Sequence, residues 1–447
     1  MEKEVEKKRL ESEIESVANK FLEAIVNKEV FIISHFDTDG ITSAAILVQT
    51  LRKLDQRFSL KIVKRLEEET LMNLPKDKVI IFLDLASASL NHISKLNLKN
   101  VFIIDHHEVF QEIPEGVSII NPQLNGKEEI SSSSLVYLFC KHLTEENKEL
   151  AKLAILGMIG DCMEKSIDKL NNLIINDGEV KRKRGLLIYP STRPLNRTLE
   201  YCSDPYIPGI TGNSAGVTEL LREIGISSPN GKYKSLIELD DEEMSKLVTA
   251  IILKNPKVRN REIIGDIFLI KFFNKLEDAR ELSAMINACS RLGESETALQ
   301  LCMESMKAKK RAELLHAKYK QFIISGLKFA AESEKIEGNG FVIINAKEKI
   351  KDTMIGTIAS ILSNSSIYEE GTIITTMAYY EDKIKVSCRS VGRSGRNLRE
   401  ILSSVIDQIG GEVGGHEFAA GCMLKREKEK EFLDCLKKSL EIELVKI

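Results

Sequence analysis

The sequence predicts an α/β protein: a doubly wound, mostly parallel sheet with a helical insertion and connector, then a smaller C-terminal α/β domain. Three observations predict it. Runs of Val, Ile and Phe without polar alternation recur between helical segments, as in parallel strands buried on both faces. Residues 186–212 hold four of the nine prolines, and the chain after them is mostly helical in period. The alternation of strand and helix resumes after "KIEGNG", near residues 336–340, for about 110 residues, an ordinary domain size.

Residues 1–27 read as a charged amphipathic helix with no apolar stretch of the signal-peptide kind. The core, 28–165, opens with "VFIISH" (30–35) and a helix from about 41 to 54. "VIIFLDLAS" (79–87) precedes a helix near 88–96, "VFIIDHH" (101–107) and "VSIINP" (117–122) add strands, and helices follow near 131–143 and 147–160. Residues 166–300 read as an insertion that completes the same domain. Within it "KRKRG" (181–185) is a basic loop, 186–212 ordered turns, and 213–330 mostly helix. Residues 301–335 form a basic connecting helix. Residues 336–447 predict a strand at "FVIIN" (341–345), a helix near 353–363, and strands around 371–378 and 383–389. A helix near 396–409, the glycine-rich "GGEVGGHEFAAG" (410–421) and a final helix complete them.

At 447 residues the chain is too long for one core. A net charge of −3 gives no global nucleic-acid signature, although a local basic groove is compatible with it. Eight cysteines are scattered without a CxxC pair, which excludes a zinc ribbon and fits reduced thiols in the cytoplasm. No apolar run reaches the roughly 18 residues of a membrane span.

"SHFDTDG" (34–40) carries the chemistry. A strand ends in His35 and Asp37, and Asp39 follows two residues on, so an extended backbone would point both aspartates the same way. Helix capping by Asp or Thr accounts for this stretch taken alone. Asp84, Asp105, His106, His107 and Asp161 also sit at the ends of apolar runs. Strand ends of an open α/β sheet converge on one edge, so these side chains should meet. Carboxylates and imidazoles without thiolate suit manganese first and magnesium second, rather than zinc. There are enough donors for two ions about 3.5–4 Å apart, the arrangement that hydrolyses phosphoesters.

"HFDTDG", "FLDLAS", "IDHHE" and "GMIGDC" resemble the four motifs of the DHH phosphoesterases, and "GGHEFAAG" (414–421) resembles the signature of their companion domain, DHHA1. "INACSRLG" (286–293), "VSCRS" (386–390) and "RPLNRTLEYCSDPYIPGITG" narrow the resemblance to RecJ-type nucleases of the archaeal branch. The resemblance implies that Asp37 and Asp84, with His35, hold one ion, while Asp39, Asp84, His106 and Asp161 hold the other. Asp105 would orient His106, and His107 would face the scissile phosphate. Gly414 and Gly415 would admit substrate backbone, His416 would contact phosphate, Ser387 and Arg389 would read a terminal phosphate, and Arg291 would touch the strand.

The function so implied is a two-metal exonuclease in DNA replication or repair. It would release mononucleotides from single-stranded DNA or RNA threaded between the two domains. Lys307, Lys309, Lys310 and Arg311 would line the path, and the GINS complex or a helicase would be the protein partner. Two rivals stand beside it: a hydrolase of short oligonucleotides or cyclic dinucleotides, and a non-catalytic replication scaffold.

Overall fold

The computed structural model describes residues 2–126, 129–165, 167–202, 205, 207–254, 263–365, 367–392 and 395–442. The chain divides into two compact units: Met1–Gly185 with Tyr189–Thr192 and Gly265–His316, and Leu186–Ile188 with Arg193–Ile264 and Ala317–Ile447.

The first unit starts with helix α1 (Glu2–Ala24), then β1 (Val30–His35), α2 (Thr38–Lys53), β2 (Phe58–Val63), α3 (Glu68–Met72) and β3 (Val79–Leu83). Helix α4 (Leu90–Lys95), β4 (Val101–Ile104) and β5 (Val117–Ile120) follow, then α5 (Ser132–Leu143), α6 (Ala151–Gly160) and α7 (Lys169–Asp177). The five strands form one parallel sheet in the order β2-β1-β3-β4-β5. Successive strand residues serve opposite faces. Ile32, Ile81 and Ile104 enter the core shared with α1, α2, α5 and α6, while Ile33, Phe82 and Ile103 enter the core beneath α4. That is why these runs lack polar alternation.

Four features differ from the sequence expectation. Strand β2 was not foreseen; it is the sheet's edge, and its residues are mostly half-exposed, so no continuous apolar run marks it. "KRKRG" is not a loop but part of strand β6 (Lys181–Leu186). It joins β7 (Ile264–Phe272) and β8 (Lys275–Asp278) in a three-stranded sheet, inside a stretch expected to be mostly helical. Strand β7 is buried from Ile267 to Ile270, and its apolar run was lost among the surrounding helical periods. Asp161 follows helix α6 as its C-cap rather than a strand.

In the second unit, α8 (Leu195–Glu200), α9 (Ser214–Glu223) and α10 (Asp241–Lys254) follow the proline-rich turns. A six-stranded sheet runs β13-β14-β12-β11-β10-β9. Its strands are β9 (Ile336–Gly338), β10 (Phe341–Asn345), β11 (Ile373–Tyr380), β12 (Lys383–Ser390), β13 (Glu412–His416) and β14 (Ala419–Lys425). Strands β10 and β11 are parallel and the other pairs antiparallel. The glycine-rich segment is thus a hairpin of two strands. Among the described residues, no helix is long and apolar enough to cross a membrane.

Candidate metal centre

Five aspartates and three histidines gather where β1, β3, β4 and α6 end, all in the first unit. The turn from β1 into α2 is tight. A Cβ on Gly40 would lie 2.3 Å from the His35 carbonyl oxygen, so only glycine lets the helix start so close to the strand. Asp37 caps α2, accepting from the Gly40 N–H at 3.0 Å, and its other oxygen lies 2.9 Å from His35 Nδ1. Capping and ligation are therefore compatible roles for one carboxylate. Asp39 does not point with Asp37, because the helix has already begun at Thr38. It is fully buried and accepts from the N–H groups of Ser132 (2.7 Å) and Ser133 (3.0 Å), the first residues of α5. A helix N-terminus favours an anion there.

Asp84 follows β3 with a φ of 60°, a left-handed conformation that disfavours a side chain. Its Oδ2 lies 3.3 Å from His35 Nδ1 and its Oδ1 3.6 Å from His106 Nε2. His106 Nε2 is also 3.5 Å from Asp161 Oδ2. Donor atoms of His35, Asp37 and Asp84 lie within 4.8 Å of one another, as do those of Asp39, His106 and Asp161, and those of Asp84, His106 and His107. Asp84 thus has one oxygen toward each side of the cluster.

Burial pushes the Asp84 carboxyl well above its ordinary pKa, and the charges of Asp37, Asp39, Asp161 and Asp105 push it further. Burial, with Asp39 and Asp37, raises Asp161 likewise. Burial would raise Asp37 too, but the His35 ring and the Gly40 N–H outweigh it and hold the group below the usual range. Asp84 Oδ1 and Asp161 Oδ2 are buried and accept no hydrogen bond. Orphaned, mutually repelling oxygens beside an imidazole fit divalent cations, which would satisfy them and reverse the repulsion.

Asp105 differs from expectation. It is bonded to His107, not His106: its Oδ1 lies 2.7 Å from His107 Nδ1, and its Oδ2 accepts from the Ser87 N–H at 3.0 Å. Burial alone would raise Asp105, but these partners hold it below the carboxylate range, and Asp105 in turn outweighs burial to raise His107. Burial lowers His106, with His107 adding to the effect.

Residues 29–160 match the model of the DHH family N-terminal domain, 188–261 the DHH-CID domain, and 339–441 the DHHA1 domain. An uncharacterized protein of Methanocaldococcus jannaschii is 31% identical over 442 residues, 94% of this chain and 96% of that one. The chain belongs to the DHH/DHHA1 family. Within it, the single-stranded-DNA-specific exonuclease RecJ of Bacillus subtilis is 24% identical over 93% of this chain, which spans only 46% of that relative. Two solved structures share the fold. RecJ from Thermus thermophilus in complex with Mn2+ has a TM-score of 0.62 at 19% identity, over 96% of this chain and 55% of that one. CDC45 from Entamoeba histolytica has a TM-score of 0.67 at 13% identity, over 96% and 99%. This DHH chain is therefore of RecJ-like architecture. The DHH-CID match lies within residues 166–300.

The remaining sequence-selected residues of this DHH/DHHA1 chain fall in both units. In the first, the Arg291 guanidinium lies over the Phe36 ring at 5.7 Å, and that ring meets His35 edge-on at 5.1 Å. Two of the four expected path-lining cations are already engaged in this unit: Lys309 Nζ lies 2.6 Å from Glu277 Oε1, and Arg311 pairs with Glu294. In the second unit, Ser387 and Arg389 occupy alternate positions on β12 and face Gly356 of the helix Asp352–Ser363. A Cβ there would lie 3.5 Å from Ser387 Oγ and 3.6 Å from an Arg389 nitrogen. Arg389 also donates to Ser360 Oγ at 2.9 Å. Gly415, at φ 112°, leaves no room for a side chain against Ala419, whereas Gly414 faces open space and His416 is exposed. Sequence reasoning missed Ser132, Ser133 and Gly157 around Asp39; the run "SSSS" before an apolar helix is a capping signal that could have drawn attention to them.

Proposed function

We propose that this chain is a two-metal phosphodiesterase that removes mononucleotides from one end of single-stranded DNA or RNA, in replication or repair. The observation that carries this reading is Asp84, buried with its two oxygens turned to two different donor sets. His35 and Asp37 would complete one set, and Asp39, His106 and Asp161 the other. Divalent ions held there, manganese first and magnesium second, would activate a water and offset charge on the five-coordinate phosphorus.

The chain's own residues do the rest. Asp105 fixes a proton on His107 Nδ1, and the His107 side chain is 47% exposed, so its other nitrogen can reach a phosphate oxygen. A raised pKa keeps His107 cationic over more of the neutral range, suiting it to stabilise charge that develops on that oxygen. In the second unit, Ser387 and Arg389 would bind a terminal phosphate, with the planar guanidinium matching the dianion. Gly414, Gly415 and His416 would contact the sugar–phosphate backbone, and Arg291 a nucleotide beside the metals. GINS or a helicase is the partner class this reading carries.

The scaffold alternative draws support from the fold shared with CDC45. Against it stands the full donor set, whose buried, unsatisfied carboxylates burden a fold that has no use for them. Digestion of end-labelled DNA and RNA of several lengths with manganese, alongside Asp84→Ala, tests the proposal. Laddering from one end by wild type alone is expected. Intact strands under all metals, or equal turnover by Asp84→Ala, would overturn it.

A further inference from the structure

Strand β6 carries four consecutive cations, Lys181, Arg182, Lys183 and Arg184, on the edge of the three-stranded sheet. No acidic residue interrupts them, although the whole chain is net negative. The strand is seated by its far end, where Gly185 and Leu186 are buried, while Lys181, Arg182 and Arg184 are exposed. Alternation puts Lys181 and Lys183 on one face and Arg182 and Arg184 on the other. Each same-face pair is separated by about 6.7 Å of strand rise, close enough to repel. Arg182 is held in place: its guanidinium donates to Asn172 Oδ1 at 2.7 Å and lies over the Phe268 ring at 5.6 Å.

Edge strands often carry a lysine to discourage pairing with other chains. One charge is enough for that. A run of four, with an arginine already fixed by packing, lowers the ordering cost of binding a multivalent anion. An extended edge also offers regularly spaced charges to an extended polyanion. We propose that β6 is a docking track for the phosphate backbone of single-stranded nucleic acid, outside the residues of the metal centre. The choice of nucleic acid over an acidic peptide rests on the reading of the metal centre as a phosphodiesterase. The track would hold long strands and leave short ones unaffected.

The test uses the full chain with Lys181→Glu and Arg184→Glu together. These positions leave Arg182, its packing partners and every proposed metal ligand in place, and the edge stays charged. Binding of a long oligo-dT is followed by fluorescence anisotropy in chelator across a salt series, and pdTpdT hydrolysis is followed with manganese. The double variant should bind long oligo-dT about 10-fold more weakly, with a log–log salt slope shallower by about 1.4 for two lost contacts. Its melting temperature and its pdTpdT hydrolysis should match wild type. Lys95→Glu with Lys99→Glu, the same change in net charge at two other exposed lysines, should leave oligo-dT binding unchanged. An unchanged slope in the β6 variant would overturn the proposal, as would an equal loss in the Lys95/Lys99 control. So would polyglutamate binding as tight as oligo-dT and equally dependent on β6, which would assign the track to an acidic protein. Wild type that binds oligo-dT through β6 but cleaves nothing would keep the track and remove the proposed function.

Discussion

Replacing Gly157 with alanine would perturb the carboxylate that the sequence singled out but could not place. Gly157 lies within α6, where α6 packs on α2 and α5. A Cβ there would sit 2.0 Å from Ser133 Oγ, 2.4 Å from Asp39 Oδ1 and 2.6 Å from Thr42 Oγ1. Ordinary contact needs about 3.5 Å, so Asp39 must retreat by about 1 Å. Ser133 Oγ can move only by giving up its bonds to Ala154 O and Ser131 Oγ, and Asp39 only by giving up two backbone N–H groups. Overpacking of this kind costs about 1–3 kcal/mol, and alanine returns about 1 kcal/mol of helix propensity. The net expectation is a loss of about 0–2 kcal/mol in stability with a disproportionate loss of the ion proposed for Asp39, His106 and Asp161. Calorimetric manganese titration should fall from two ions to one, while melting in chelator shows a folded protein. Adding Ser133→Ala removes the shortest overlap but not the one with Asp39. The double variant should therefore regain stability without regaining the second ion. Gly157→Ala that binds two ions with wild-type affinity would refute the claim that this glycine sets the position of Asp39.

Asp84→Asn should abolish hydrolysis yet make the metal-free protein more stable at neutral pH by about 1 kcal/mol or more, read from chelator melts. The sign follows from linkage. The folded pKa of Asp84 is raised, so its protonated form favours the fold below about pH 4, and that stability is lost as pH rises through the folded value. The gap between variant and wild type should therefore open with rising pH and close in acid. Asp105→Asn should lower the His107 pKa and cut turnover about 10–100-fold with manganese stoichiometry intact, seen by histidine NMR and kinetics. Arg389→Ala should cost about 2–3 kcal/mol in kcat/KM on one phosphorylated end and little on the hydroxyl end, with lysine rescuing only in part. Chelation should stop turnover, and manganese but not calcium should restore it, as a gel assay would show.

The sequence by itself determined which residues are chemically unusual. Aspartates and histidines closing apolar runs, and four ordered motifs, marked His35, Asp37, Asp39, Asp84, Asp105, His106, His107 and Asp161. The same runs revealed the parallel sheet, because strands buried on both faces cannot alternate. These signals are local: they depend on period and covalent neighbours. What the tertiary structure decided is who meets whom. Asp39 turned from its neighbour Asp37 to amides at the start of α5, because the helix begins between the two aspartates. Asp105 took His107 rather than His106, since His106 is drawn toward Asp84 and Asp161. Lys309 and Arg311 read as a basic path, but glutamates distant in sequence pair with them. "KRKRG" became an edge strand because the apolar β7 lies beside it. Each outcome rests on packing between segments far apart in the chain, and composition and period carry no record of that packing.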